Sequence, residues 1–221
     1  MSKVLAIPDL HFPFHHAKTF SFLLNVKKRF DPDQIVCLGD EADMHAFSTK
    51  FSSNPDGFSA GHELEEAIKY LKCLYEIFPK VKVCESNHTV RPYKKAFDFG
   101  LPSRFLKGYR ELLEAPVGWH WKDRWEIDGV IYEHGEGLSG SAAQVKSVRE
   151  NMKSTVFGHI HSFAGVQYVA TNDKTLFGFN AGCLIDRNAY AFAYGAKIRN
   201  KPILGCGIID DGVPTFIPLQ E

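Results

Sequence analysis

Two rhythms of apolar positions run along the chain. Val4 to Ile7 is a short unbroken apolar run closed by Pro8-Asp9, which predicts a buried strand. Phe20, Leu23, Leu24 and Lys27 then recur at steps of three and four, predicting a helix over 17–30, and Gln34 to Leu38 reads as a second short strand. Residues 48–61, with Ser52, Ser53, Asn54-Pro55, Asp56-Gly57 and Gly61, read as a loop. Beyond it Leu64, Ala67, Ile68, Leu71, Leu74, Tyr75 and Phe78 mark the clearest amphipathic helix of the chain, followed by a third strand at Val81 to Cys84. Strands alternating with helices predict an α/β sheet.

The texture changes near Pro116. Trp121 to Ile127, an Asp128-Gly129 turn and Val130 to Glu133 predict a hairpin that delivers His134. A helix is expected over 140–152, and strands over 154–157, 166–170, 175–179, 203–209 and 213–217, so the second half should be richer in antiparallel pairing. No repeat or low-complexity tract interrupts the pattern. With 221 residues, 44% of them hydrophobic, a single domain spanning 1–221 is expected.

Charge and cysteine usage narrow the setting. Lys+Arg 26 against Asp+Glu 26 gives no net field, so attraction to a polyanion has to come from a local patch. The cysteines at 37, 73, 84, 183 and 206 are odd in number and lack CxxC spacing, which argues against a disulfide framework or a cysteine zinc site and for a reducing compartment. The apolar run at the N-terminus is too short for a signal segment and no later run approaches membrane-spanning length, so a cytoplasmic protein without a membrane partner is expected.

The candidate chemistry lies just after the strands. Asp9-Leu-His11, Gly39-Asp40, Asn87-His88, His134-Gly135 and Gly158-His159-Ile-His161 follow one another in order, where open α/β folds place their ligand sites. A lone Asp-x-His means little, since a chain of this composition contains roughly 0.6 by chance, and Asp43-Met-His45 fits the same pattern. Gly-His-x-His is far rarer, at roughly 0.04, and is the strongest single signal. Two divalent ions about 3.5–4 Å apart need a bridging carboxylate with imidazole and oxygen ligands on either side. Asp40 is the natural bridge. Asp9 and His11 share a side at a strand end and can grip one ion that His161 completes, while Asn87, His134 and His159 suit the second. Gly158 allows close approach of the backbone. His120, between two tryptophans, competes with His134, whereas His15, His16, His45 and His62 read as loop or surface residues. His88, left over beside a ligand, is placed to act as general acid on a leaving oxygen or to stabilise charge on the phosphoryl group. The mixed donor set suits Mn²⁺ first, with Fe, Zn²⁺ or Ni²⁺ as alternatives, over Ca²⁺.

The ordered blocks over residues 9–161 resemble the calcineurin-like metallophosphoesterases, whose motifs are D-x-H, G-D-x-x-D, G-N-H-[DE], an isolated His and G-H-x-H. The resemblance implies a four-layer αββα sandwich, the ligands assigned above, and in-line attack on phosphorus by a metal-bridging hydroxide. It also makes Asp43 the partner that orients His88. The third block departs from the pattern: Ser86 replaces the usual glycine and Thr89 the usual acid, which removes a supporting carboxylate unless Asp43 or Glu41 compensates. Asn180-Ala-Gly-Cys183 in place of Asn-Pro-Gly-Ser, with the helix-rich 62–115 region, is similar to phage and prophage members, and a helical insertion is expected around 90–115.

A local basic patch does exist. Residues 91–110 carry Arg91, Lys94, Lys95, Arg104, Lys107 and Arg110 against Asp98 alone, interleaved with Tyr93, Phe97, Phe99, Phe105 and Tyr109. Cations beside rings suit a nucleotide or nucleic-acid phosphodiester, although a solvated basic helix with an aromatic core face gives the same pattern. Arg91, three residues after His88, is a candidate substrate contact. The expected activity is therefore a phosphodiesterase or nuclease, with a phosphomonoesterase or protein phosphatase as the alternative and a non-catalytic scaffold as a third reading.

Overall fold

Every strand expected in the first 90 residues forms, and each is only four residues long. The computed structural model describes residues 1–48, 58–189 and 201–220. In chain order the elements are β1 (Val4–Ile7), α1 (Thr19–Phe30), β2 (Gln34–Cys37), α2 (Ala60–Ile77), β3 (Val81–Cys84), α3 (Arg91–Asp98), α4 (Tyr109–Leu112), β4 (Trp119–Lys122), β5 (Arg124–Ile127), β6 (Val130–Glu133), α5 (Ala143–Asn151), β7 (Ser154–Phe157), β8 (Gly165–Ala170), β9 (Thr175–Asn180), β10 (Gly205–Asp210) and β11 (Val213–Pro218). Helix α2 starts at Ala60 because the Ser59 hydroxyl accepts from the His62 N–H at 3.3 Å and caps it. The loop expected over 48–61 is therefore shorter at its end, and its residues 49–57 lie outside the described residues.

The strands form two sheets. One runs β11-β10-β1-β2-β3-β4, with β1 to β4 mutually parallel and β10 antiparallel to β1. The other runs β5-β6-β7-β9-β8, parallel at its centre and antiparallel at both edges. Alternate residues of β1 part between two cores: Leu5 and Ile7 pack with Leu23 and Val26 of α1 and Leu71 and Leu74 of α2. Val4 and Ala6 face the second sheet, where they meet Tyr132, Val156 and Phe179. On the far side α5 covers the second sheet, and it lies so close that a side chain at Gly178 would meet the Gln144 carbonyl at 1.9 Å. The result is the expected four-layer αββα sandwich.

The stretch expected as one strand, Trp121 to Ile127, is divided. Trp119 is buried against Tyr75 of α2, with its indole N–H donating to the Phe78 carbonyl at 2.9 Å, and this anchors β4 in the first sheet beside β3. At Asp123 the chain crosses over, and β5 pairs with β6 in the second sheet. The hairpin delivering His134 is therefore β5–β6, and the residues before it belong elsewhere. The expected insertion around 90–115 comprises α3, a 3₁₀ turn at Ser103–Phe105 and α4.

Candidate metal centre

The candidate ligands, with Asp43 and His88, lie in the loops that leave the C-terminal ends of β1, β2, β3, β6 and β7, and Arg91 opens α3, so both sheets contribute to one cluster. Backbone hydrogen bonds lace these loops: His11 N–H to the Asp40 carbonyl at 2.7 Å, Phe12 N–H to that of Glu41 at 3.1 Å, and Gly158 N–H to that of His134 at 3.1 Å. His11, Asp40 and His159 adopt left-handed backbone, with φ of 49°, 50° and 66°. Such residues cost roughly 1–3 kcal/mol each and gather where surrounding structure holds a functional geometry.

Asp40 is the centre. Its Oδ2 lies 3.3 Å from His11 Nε2, 3.5 Å from His134 Nε2 and 3.8 Å from His88 Nε2. On one side His161 Nε2 stands 3.3 Å from His11 Nε2 and 3.6 Å from Asp9 Oδ2. The ligand atoms of Asp9, His11, Asp40 and His161 all fall within 4.8 Å of one another, a group that could hold a metal ion. On the other side His134 Nε2 lies 2.7 Å from Asn87 Oδ1 and 3.1 Å from His159 Nδ1. Gly158 makes room for this convergence, since a Cβ there would sit 2.8 Å from both Asp9 carboxylate oxygens.

The electrostatics fit a cation. Asp9 is fully buried, and its Oδ1 accepts no hydrogen bond among the described residues. Burial, with the Asp40 charge adding to it, pushes the Asp9 pKa well up. Burial pushes the Asp40 carboxyl in the same direction, but His134, His88 and His11 together outweigh it and hold Asp40 well below the usual carboxylate range. A divalent ion would relieve the Asp9–Asp40 repulsion and supply the partner that Asp9 Oδ1 lacks. The imidazoles divide into two kinds. Burial lowers His134 to about 4 and also lowers His159 and His161, which keeps these rings neutral as metal ligation requires. Burial acts on His88 likewise, but Asp40 and Asp43 outweigh it and raise its pKa.

Asp43 braces two rings at once. Its Oδ1 lies 2.7 Å from His11 Nδ1 and 2.8 Å from His88 Nδ1, turning both Nε2 atoms toward Asp40. His88 Nδ1 also lies 2.7 Å from the Asp43 carbonyl. Arg91 donates through Nη1 to that carbonyl at 2.9 Å, and its Nη2 lies 2.8 Å from His88 Nε2. The departures of the third block have partners too. Ser86 Oγ accepts from the Asp40 N–H at 3.0 Å and pairs with Thr89 Oγ1 at 2.7 Å, and Thr89 Oγ1 donates to Glu41 Oε2 at 3.4 Å. Glu41 is fully buried, and its other oxygen accepts from the Trp121 indole at 2.9 Å.

Of the competing histidines, His134 is at the cluster, with Nδ1 donating to the Leu38 carbonyl at 2.9 Å. His120 is exposed on β4 and lines a cavity of about 440 Å³ at the opposite strand ends. His15, read as a loop or surface residue, lies in the loop before α1 and is half-buried there among the rings of Phe12, Phe20 and Tyr70. The sequence pattern did not single out Asn180 as a support; it is fully buried and donates to the Ile160 carbonyl at 2.9 Å, propping the Gly-His-x-His loop from β9. The Asn180-Ala-Gly-Cys183 stretch was its visible trace.

No family model and no curated protein matches the chain. Among solved structures it is similar to the phosphoesterase Yfce from E. coli, with TM-score 0.49 and 15% identity over 98% of this chain and 92% of that one. It is also similar to Vps29 from Entamoeba histolytica, with TM-score 0.44 and 14% identity over 96% of each chain. A third likeness is to the nuclease MPE of Pseudomonas putida, with TM-score 0.33 and 14% identity over 96% of this chain and 85% of that one. At these identities none of the three lends its activity or partners to this chain.

Proposed function

We propose that the chain is a calcineurin-like metallophosphoesterase that uses two divalent ions, Mn²⁺ first among them, to hydrolyse phosphodiesters of nucleotides or nucleic acid. The observation that carries this reading is Asp40 Oδ2 within 3.8 Å of three imidazole nitrogens contributed from both sheets. Asp9, His11, Asp40 and His161 would hold one ion, and Asp40, Asn87, His134 and His159 the other. Bound there, the ions would polarise a phosphoryl oxygen and make water available as a nucleophile near neutral pH.

His88 supplies the proton. Its ring is fixed at Nδ1 by Asp43, so Nε2 alone faces the reacting side. In the neutral ring Nε2 accepts from Arg91, and protonation of Nε2 requires that guanidinium to leave. A substrate phosphoryl oxygen is the anion that would draw Arg91 away, so substrate binding and the protonation of His88 are coupled through one side chain. The protonated ring then donates to the departing alkoxide. Since both sheets carry ligands, we read the chain as one catalytic unit.

Initial rates of the Mn²⁺-loaded protein on matched aryl phosphate diester and monoester substrates test this. Faster diester turnover is expected. Monoester preference overturns the substrate assignment, and absence of metal-dependent turnover on both overturns the activity.

A further inference from the structure

The insertion that begins at Arg91 sorts its aromatic side chains into two sets. Tyr93 and Tyr109 turn inward: their rings meet at 5.0 Å, Tyr109 packs at 6.3 Å from Trp121, and the Tyr93 hydroxyl donates to the Lys107 carbonyl at 2.7 Å. Phe97, Phe99 and Phe105 turn outward and are 52%, 82% and 71% exposed. A solvated basic helix with an aromatic core face accounts for the inner pair and leaves the outer three without a structural role. Three phenylalanines in water within nine residues are costly, and such patches mark binding surfaces.

Their surroundings indicate the partner. Lys94, Lys95, Arg104 and Arg110 join no ion pair among the described residues, while Lys107 faces Glu111 at 3.6 Å. Protein interfaces are enriched in phenylalanine and arginine but depleted of lysine, so it is Lys94 and Lys95 beside the rings that fit a protein partner poorly. Rings that stack bases beside cations that track phosphates are the design of single-strand binding surfaces, and a duplex, whose bases are already stacked, offers no faces to them. Position agrees. Helix α3 runs from Arg91, in contact with His88, for about 12 Å to the phenylalanines, a distance a few nucleotides cover. The other flank repels a polyanion: beyond His134 a cavity of about 180 Å³ is walled by Glu85, Asp123, Glu133, Glu136 and Glu150.

We infer that Phe97, Phe99 and Phe105, with Lys94, Lys95, Arg104 and Arg110, form a platform for single-stranded nucleic acid that leads its backbone to the candidate metal centre. The inference rests on the phosphodiesterase reading for its direction, and its test is independent of turnover.

Fluorescence anisotropy of a labelled oligothymidylate of about ten nucleotides is measured against the full chain, with chelator present so that no strand is cut. Replacing Phe97, Phe99 and Phe105 together by Ala should weaken binding at least roughly tenfold. These side chains are exposed, and an unchanged thermal midpoint verifies the fold. Lys94→Gln with Arg104→Gln should lower the slope of log affinity against log salt by about 0.7 for each cation removed. A duplex of equal length should bind more weakly than the single strand. Equal binding by the triple variant, or equal affinity for duplex, overturns the platform. So does a triple variant that changes only the sedimentation of the protein, which would mark a contact between copies. Strand binding of the expected kind without diester turnover would uphold the platform while removing the phosphodiesterase reading.

Discussion

The hydroxyl of Thr89 lies 3.4 Å from the carboxylate of Glu41, a residue 48 positions earlier that is fully buried beside Asp40. Where the resembling family carries an acid directly after the histidine, this chain carries a hydroxyl and draws the carboxylate from the preceding block. Trp121 and Thr89 both donate to Glu41, and Thr89 passes the connection through Ser86 to the Asp40 N–H. Glu41→Ala leaves those donors without an acceptor and should destabilise the chain by about 1–3 kcal/mol, whereas Glu41→Gln keeps an acceptor for the indole and should cost less than about 1 kcal/mol. Chemical denaturation of both variants checks this. Equal losses would show that the carboxylate charge, and not an acceptor for the indole, is what holds this network.

Asp43 touches two rings with different roles, so its loss should show twice. Asp43→Asn is expected to weaken Mn²⁺ binding by about 10–100-fold through His11 and to reduce turnover through His88. His88→Ala should reduce kcat by about 10²–10⁴ with the Mn²⁺ titration unchanged. Calorimetric titration beside steady-state kinetics separates the two, and wild-type metal affinity in Asp43→Asn would break the link to His11.

Much of this was legible in the sequence. Motifs ordered after strands gave the position of every candidate ligand, because a short buried strand fixes where its following loop emerges. The division of Trp121 to Ile127 between two sheets was not legible, because it turns on Trp119 finding the pocket beside Tyr75 and Phe78, a contact across some forty residues. Glu41 was equally hidden: a carboxylate beside a ligand carries no signal until Thr89 and Trp121 arrive from other strands. The outward turn of Phe97, Phe99 and Phe105 could not be told from a core face by periodicity alone.

Gly158→Ala should act on the metal and only weakly on the fold. Its backbone is not left-handed, so the new methyl matters only through the Asp9 oxygens 2.8 Å away. We expect Mn²⁺ affinity to fall at least tenfold, with a stability loss in the metal-free chain below about 2 kcal/mol. Unchanged affinity would mean that Asp9 does not approach the metal from this side.

His15 sets an acid dependence outside the centre. Burial among rings, against which the Pro13 carbonyl and Asp186 work, lowers its pKa to about 4 from the usual 6.5. The unfolded chain therefore takes up a proton that the folded chain refuses, and stability falls as pH drops from about 6.5 toward 4. His15→Gln should lose less stability over that window than the wild type, as followed by thermal melting. Identical pH slopes in the two proteins would contradict this.

Counting metal per chain bears most directly on the claim that these side chains form a dinuclear centre. After the chain is stripped, reloaded with Mn²⁺ and freed of excess, elemental analysis should find about two ions in the wild type and fewer than about one in Asp40→Asn. A wild-type chain that retains no ion, or an Asp40→Asn variant that retains as many as the wild type, would contradict the assignment of Asp40 as the bridge.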